Sequence, residues 1–308
     1  MRALLVVNHK ATTTSGRVRD VLVQALRSVV DLEVEHTRRR GHAASLAEQA
    51  AADGMDVVVV LGGDGTVNEA VNGLLTRHAP GRASAFAVVP GGSTNVFARA
   101  LGLPGDWVEA TGVLIEALRE GRQRTIGLGR ADDRYFTFCA GLGIDAEVIA
   151  RVERARHRGD IPTPVLYLRA LAGQYLFGTA RSSARLTLEQ TAGEVDENLA
   201  TVIVQNTSPW TYLGSRRIDP SPEASFDTGL DLFGMRALRL PGTARTLTHL
   251  LSRPRGGPHG NAVLRLHDMA EFGVRADEPV AFQLDGDYLG AREKVRFTAV
   301  PDALRVFC

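Results

Sequence analysis

From Asp56 to Leu61 the chain is apolar almost without interruption, and it runs straight into Gly62-Gly63-Asp64-Gly65-Thr66. A strand of that kind is buried on both faces, as happens in a parallel sheet covered by helices. The sequence predicts a helix from Val67 to about Arg77, which completes a strand–loop–helix unit. The unit then repeats: Phe86 to Val89 reads as a strand, Pro90-Gly91-Gly92-Ser93-Thr94-Asn95 as a loop, and Val96 to Leu101 as a short helix. Upstream, Ala3 to Asn8 and Leu32 to Thr37 read as strands alternating with helices over Gly16 to Val30 and His42 to Asp53. Such alternation predicts an α/β domain with a parallel sheet.

After a helix from Asp106 to Glu120 the pattern changes, which puts a domain boundary near Gly121. Arg122 to Arg130 and Tyr135 to Ala140 read as a hairpin. Strand-like runs recur at Ala184 to Gln190, Asn198 to Gln205, Leu230 to Leu238, Ala262 to Leu266, Glu271 to Arg275, Val280 to Leu284 and Lys294 to Ala299. These predict an antiparallel β-sandwich over 122–298. Helices interrupt it at about Ala146 to Arg158, Val165 to Gly178 and Thr243 to Leu251. The 308 residues, 44% hydrophobic, suffice for the cores of two domains.

A net charge of +1 gives no global field for nucleic acid or an anionic membrane. The two cysteines, Cys139 and Cys308, cannot build a disulfide framework, which fits a reducing cytoplasm. No stretch approaches the roughly 20 apolar residues that span a bilayer. Only Lys10 and Lys294 are lysines, and neither lies in a Walker-type phosphate loop. Any nucleotide phosphates must be held by something else.

The glycine loops offer that alternative. Three glycines at the carboxyl end of a buried strand let main-chain N–H groups approach an anion, and the next helix adds the partial positive charge of its N-terminus. An acid in such a loop, Asp64, makes sense if it meets the nucleotide through Mg²⁺. Thr66 and Glu69 also match a capping box, a purely structural pattern. Gly91 to Asn95 would lie beside the first loop at the same sheet edge, where ligands of open α/β sheets bind. A glycine turn with Ser93 or Thr94 as helix cap is the plainer alternative.

Gly62 to Thr66, Gly92 to Arg99 and Asp285-Gly286-Asp287 resemble the three signatures of bacterial diacylglycerol kinases and their lipid-kinase relatives, including the sphingosine kinases. The first signature is shared with NAD kinases and phosphofructokinases. The resemblance implies an ATP-dependent lipid kinase with an active site between two domains, the last segment, from about Ala299, returning to the first. Carried over by position, Asn8, Thr37, Gly62, Gly63, Asp64, Gly65, Thr66, Val67, Asn68 and Ser93 would contact ATP, with Asp64 near Mg²⁺. Asp285 or Asp287 would be the general base for a lipid hydroxyl. An Asp-Gly hairpin turn is the structural alternative there. Asp219, Asp227 and Asp231 resemble the region that supplies a second, structural Mg²⁺, with turn formation as the alternative.

The sequence departs from the family pattern at His9 for Pro, Ser93 for Thr, Val96 for a frequent Asp, and Asp287 for Glu. The implied partner is a lipid presented at a membrane surface, met from the cytoplasm at the inner face, with a homodimer left open. Trp107, Trp210, Tyr212 and the arginines Arg151, Arg154, Arg156 and Arg158 could touch that surface, although such residues more often form a solvated helix face and partly buried aromatics. Two rivals stay open: a kinase of a soluble acceptor such as NAD, and an idle nucleotide-binding module.

Overall fold

The computed structural model describes residues 1–8, 16–76, 81, 83–157, 186–190, 193–236, 243, 245, 246, 248–250 and 257–308. Two compact units divide the chain, Met1–Leu128 with Pro301–Cys308, and Gly129–Val300. The expected Val165 to Gly178 helix lies outside the described residues, and the Thr243 to Leu251 helix lies partly outside them.

The first unit runs β1 (Arg2–Val7), α1 (Gly16–Arg27), β2 (Asp31–His36), α2 (His42–Ala52), β3 (Val57–Gly62), α3 (Asp64–Leu75), β4 (Ala85–Pro90), α4 (Val96–Ala100) and α5 (Trp107–Glu120). Its strands are parallel in the order β2-β1-β3-β4. The C-terminal residues come back to this sheet, Val306 pairing in parallel with Phe86. In β3, Val57, Val59 and Leu61 join a core with Leu22, Leu26, Leu114 and Leu118. Val58 and Val60 are equally buried, and by strand alternation they face the opposite side. Burial on both faces explains why the sequence of β3 shows no polar alternation.

Helix α3 begins at Asp64, three residues before the start expected from the sequence, with Gly63 as its extended N-cap. The glycine-containing segment is thus the first helical turn as well as a loop. Farther along, α2 and α3 approach closely because Gly73 has no side chain: a Cβ there would lie 2.1 Å from the Ala44 carbonyl oxygen. Backbone cannot yield as a flexible side chain would. Gly73→Ala should therefore destabilise the unit by about 1–3 kcal/mol, the usual range for overpacking, seen as a lower urea midpoint.

In the second unit and the strand leading to it, the elements are β5 (Gln123–Ala131), β6 (Arg134–Phe136), β7 (Cys139–Gly143), α6 (Ile144–His157), β8 (Leu186–Gln190), β9 (Val195–Leu199), β10 (Thr201–Gln205), β11 (Thr211–Leu213), β12 (Arg216–Ile218), β13 (Leu230–Met235), β14 (Val263–Met269), β15 (Glu271–Leu284) and β16 (Asp287–Phe307). All described pairings of β7 to β15 are antiparallel. Two strands expected from the sequence, 271–275 and 280–284, are one bent strand. Its first half pairs with β8 and its second with β7. The register shifts between Arg275 and Val280, around Pro279, a residue that cannot donate to a ladder and belongs at such bulges.

The bend lets both halves of β15 bury side chains in one core: Val274 and Phe272 from the first, Phe282 and Leu284 from the second, with Leu142, Val204, Leu232 and Phe297. Conversely, the single expected strand 198–205 is split at Ala200, which separates β9 from β10, and Asn198 within β9 adopts φ 64° where the pairing with β8 is irregular. The short pair β11–β12 was not expected at all. Trp210 packs beside Ile203, Phe233 and Met235, and Trp107 against the first core, so both are partly buried aromatics.

Candidate active site

Parallel strands bring their carboxyl ends to one edge, so Asn8, Thr37 and the two glycine loops follow β1, β2, β3 and β4 there. Asn8 links two of these ends: its backbone N–H donates to the Leu61 oxygen at 3.0 Å, and Nδ2 donates to Thr66 Oγ1 at 2.8 Å. The Thr37 N–H donates to the Val7 oxygen at 2.9 Å. The Thr37 side chain is buried, whereas Ser93 is exposed.

The two loops pack main chain on main chain. Gly91 N–H donates to the Gly62 oxygen at 2.9 Å. A Cβ on Gly92 would lie 2.7 Å from Gly63 Cα, and one on Gly91 would lie 3.0 Å from Gly62 N. Asn95 closes the second loop on itself: Oδ1 accepts from Gly92 N–H and Nδ2 donates to the Gly92 oxygen, both at 2.8 Å. It does so with φ 50°, a left-handed geometry that Asn tolerates better than most residues. Asn95 did not figure among the expected site residues, and that tolerance was the available signal.

Asp64 is held by main-chain amides. Its Oδ2 accepts from Val96 N–H at 3.0 Å and its Oδ1 from Phe97 N–H at 3.1 Å. The carboxylate thereby caps α4 and ties the first loop to the segment following the second, with both oxygens engaged by amides. Asp64→Ala should cost about 1–3 kcal/mol through two amides left without an acceptor, measurable by urea unfolding.

Glu69 likewise is no capping-box partner of Thr66. It reaches α2 instead, accepting from Gly41 N–H at 2.8 Å and Ala43 N–H at 3.3 Å. Val67 and Asn68 are each 1% exposed, so their side chains lie in the interior. What remains open to an anion is the start of α3, where the first amides have no carbonyl one turn back.

In the second unit, Asp285-Gly286 forms a two-residue hairpin turn between paired Leu284 and Asp287. Both turn residues have positive φ, 48° and 80°, as the twist of a tight hairpin demands. Asp285 is buried and held by four donors. Oδ2 accepts from Thr137 N–H at 2.7 Å and Thr137 Oγ1 at 2.9 Å; Oδ1 accepts from Phe138 N–H at 3.0 Å and Cys139 N–H at 3.1 Å. These contacts fill the acceptor sites of a carboxylate. They also end β6 early, since the amides of 137–139 turn to the carboxylate. Asp285 therefore shapes the turn, the Asp-Gly hairpin that the sequence offered as the structural alternative. Asp287 opens β16 with a half-buried side chain.

A third acid, absent from the expected set, stands behind the turn. Asp145, in the first turn of α6, accepts from Gln283 Nε2 at 2.7 Å, and Gln283 Oε1 accepts from Gly286 N–H at 3.0 Å. Burial pushes the Asp145 carboxyl up to about 6, partly offset by the Gln283 hydrogen bond.

Asp219, Asp227 and Asp231 do not converge. Asp219 Oδ2 accepts from Ser208 Oγ at 2.6 Å and pairs with Arg217 at 3.2 Å. Asp231 Oδ1 lies 2.8 Å from His267 Nδ1. Asp227 N–H donates to Ser225 Oγ at 3.2 Å in a turn. Among the described residues no three His, Cys, Asp or Glu side chains gather as a metal cluster. The three acids of this trio do not come together as a protein-only magnesium site among the described residues.

Residues 2–131 match the diacylglycerol kinase catalytic domain. A diacylglycerol kinase of Staphylococcus saprophyticus is 34% identical over 124 residues, 40% of this chain and 38% of the relative. One of Staphylococcus aureus strain JH9 is 35% identical over 124 residues, 40% and 37% of the two chains. The match thus spans well under half the length of these curated relatives. The crystal structure of a diacylglycerol kinase from Bacillus anthracis str. Sterne aligns over 99% of this chain and 96% of its own, with TM-score 0.75 and 22% identity. That likeness is one of fold. The residues that match the diacylglycerol kinase catalytic domain, 2–131, are the ones that build the paired glycine loops of the first unit.

Proposed function

We propose that this chain is an ATP-dependent lipid kinase that phosphorylates the hydroxyl of diacylglycerol or a related lipid. One observation carries the proposal: Gly63 and Gly92 meet backbone to backbone at the carboxyl edge of the first sheet, within 2–131. Without a Walker lysine, the amides of this paired loop and of the α3 N-terminus are the groups suited to a polyphosphate. Asn8, Thr37 and Ser93 border the same edge, Asn8 steadying Thr66. Magnesium travels with the nucleotide in such reactions, held chiefly by its phosphates, and no step is assigned to it here.

In the reaction, the lipid oxygen bonds to the γ-phosphorus, the bond from that phosphorus to the β–γ bridging oxygen breaks, and ADP leaves. Asp287 takes the hydroxyl proton late in the step. Asp285, with its four donors, fixes the turn that carries Asp287. The acceptor is presented at a membrane surface, reached from the cytoplasm; no described helix is long and apolar enough to cross one.

The test is to incubate the pure protein with γ-labelled ATP, Mg²⁺ and a panel of diacylglycerol vesicles, sphingoid lipid, NAD and glycerol. Label in a lipid phosphomonoester supports the proposal. Label in NAD alone, or binding of ATP with no labelled product, would overturn it.

A further inference from the structure

The Asp285-Gly286-Asp287 turn is held from two sides, and only one of them is explained by the hairpin itself. On one side the amides of 137–139 and the Thr137 hydroxyl grip Asp285. On the other, Gly286 N–H donates to Gln283 Oε1. Gln283 is 1% exposed, and its amide has no freedom of orientation: with Oε1 engaged by an N–H, its NH₂ must face an acceptor. Asp145 Oδ2 is that acceptor, at 2.7 Å.

The surroundings are shaped to admit the carboxylate. A Cβ on Gly141 would lie 1.8 Å from Asp145 Oδ2 and 2.8 Å from Gln283 Nε2, so strand β7 gives up a side chain at the one point where the acid lies against it. Asp145 is itself buried, and burial rather than any neighbouring charge dominates its titration. A neutral acceptor would satisfy Gln283 without the desolvation penalty of an ion, whereas an ionised carboxylate accepts only, never donates, and grips harder.

We infer that Asp145 is a positioning residue of the phosphoryl transfer: acting through Gln283, it holds the Gly286 amide and thereby sets the Asp287 carboxylate where the acceptor hydroxyl must be met. The inference rests on the function proposed above and adds a residue to it. Asp145 touches neither phosphate nor acceptor in this role. A turn shifted by about 1 Å would still bind nucleotide but would present its carboxylate out of reach.

Three variants test it: Asp145→Ala, which removes the acceptor; Asp145→Asn, which keeps a neutral one; and the double variant Asp145→Asn with Gln283→Glu, which reverses the polarity of the link yet still offers Gly286 an acceptor. Two readouts are taken, hydrogen exchange at the Gly286 amide and steady-state kinetics with labelled ATP. Asp145→Ala should speed Gly286 exchange at least tenfold and lower kcat at least tenfold while leaving the KM for ATP within about twofold. Asp145→Asn and the double variant should recover most of both. Unchanged Gly286 exchange in Asp145→Ala overturns the inference whatever the activity, as does an undiminished kcat. If the wild type labels no lipid while Gly286 exchange responds as expected, the proposed function fails and Asp145 is left as an anchor of the fold.

Discussion

Asp287→Asn is expected to lower kcat for lipid phosphorylation by about 10²–10⁴-fold, the range lost with a general base, with little change in the KM for ATP. Asn has nearly the volume of Asp and keeps a carbonyl oxygen, so the hairpin should survive. What it loses is the ability to take a proton. The companion variant Asp285→Asn should fail for another reason. Asp285 accepts four hydrogen bonds at 2.7–3.1 Å, and an amide there would point an NH₂ at N–H donors, at a cost of about 1–3 kcal/mol or more. Kinetics and urea unfolding on the two proteins therefore separate a chemical role from a shaping one. Wild-type kcat in Asp287→Asn would remove the proposed base.

Asp145→Asn is expected to stabilise the protein, and only above a certain pH. The folded-state carboxyl titrates at about 6 against an ordinary value of 3.8, so the folded chain binds this proton more tightly than the unfolded one. Below pH 3.8 both states hold it and nothing is lost. As pH rises from there to about 6, the unfolded state releases the proton first and stability declines, the reverse of a salt-bridged carboxylate. Above that window the penalty is constant, of order 3 kcal/mol at 1.36 kcal/mol per pKa unit. Unfolding free energies of variant and wild type, measured in urea from pH 4 to 8, should diverge through this window and then run parallel. The difference between the two proteins cancels the other carboxylates. A difference that stays flat across the series would show that the buried acid is not destabilising.

The periodicity of residues 3–120 disclosed the parallel sheet because in that sheet local and tertiary signals agree: strands buried on both faces are continuously apolar, and glycine marks where they end. The second unit was read less well because its features are decided at a distance. Whether 271–284 is one strand or two depends on which neighbours each half finds. The break at Ala200, likewise, is a backbone choice that periodicity does not register. At the site, the glycines could be located from spacing, but not the reason for them: Gly63 and Gly92 touch each other, 29 positions apart. The hydrogen-bond partners of Asp64 and Glu69 were not legible for the same reason, since they are the amides of α4 and the start of α2. Asp145 and Gln283 gave no local sign, being one polar residue each in otherwise apolar segments. The resemblance supplied the roles of the motifs, and folding alone supplies the ties between them.

The return of the last residues to the first sheet bears on how the protein can be made. Phe307 is 1% exposed within the core that contains Val57, Val59 and Leu61. Ala303 accepts a hydrogen bond from Gly81 N–H at 2.9 Å, and Arg305 Nη2 donates to the Ala83 oxygen at 2.8 Å. During synthesis the stretch through Leu128 emerges early, yet one of its own core side chains, Phe307, follows the whole second unit in the chain. The first unit must therefore wait, incompletely closed, until the ribosome has made the second unit in between.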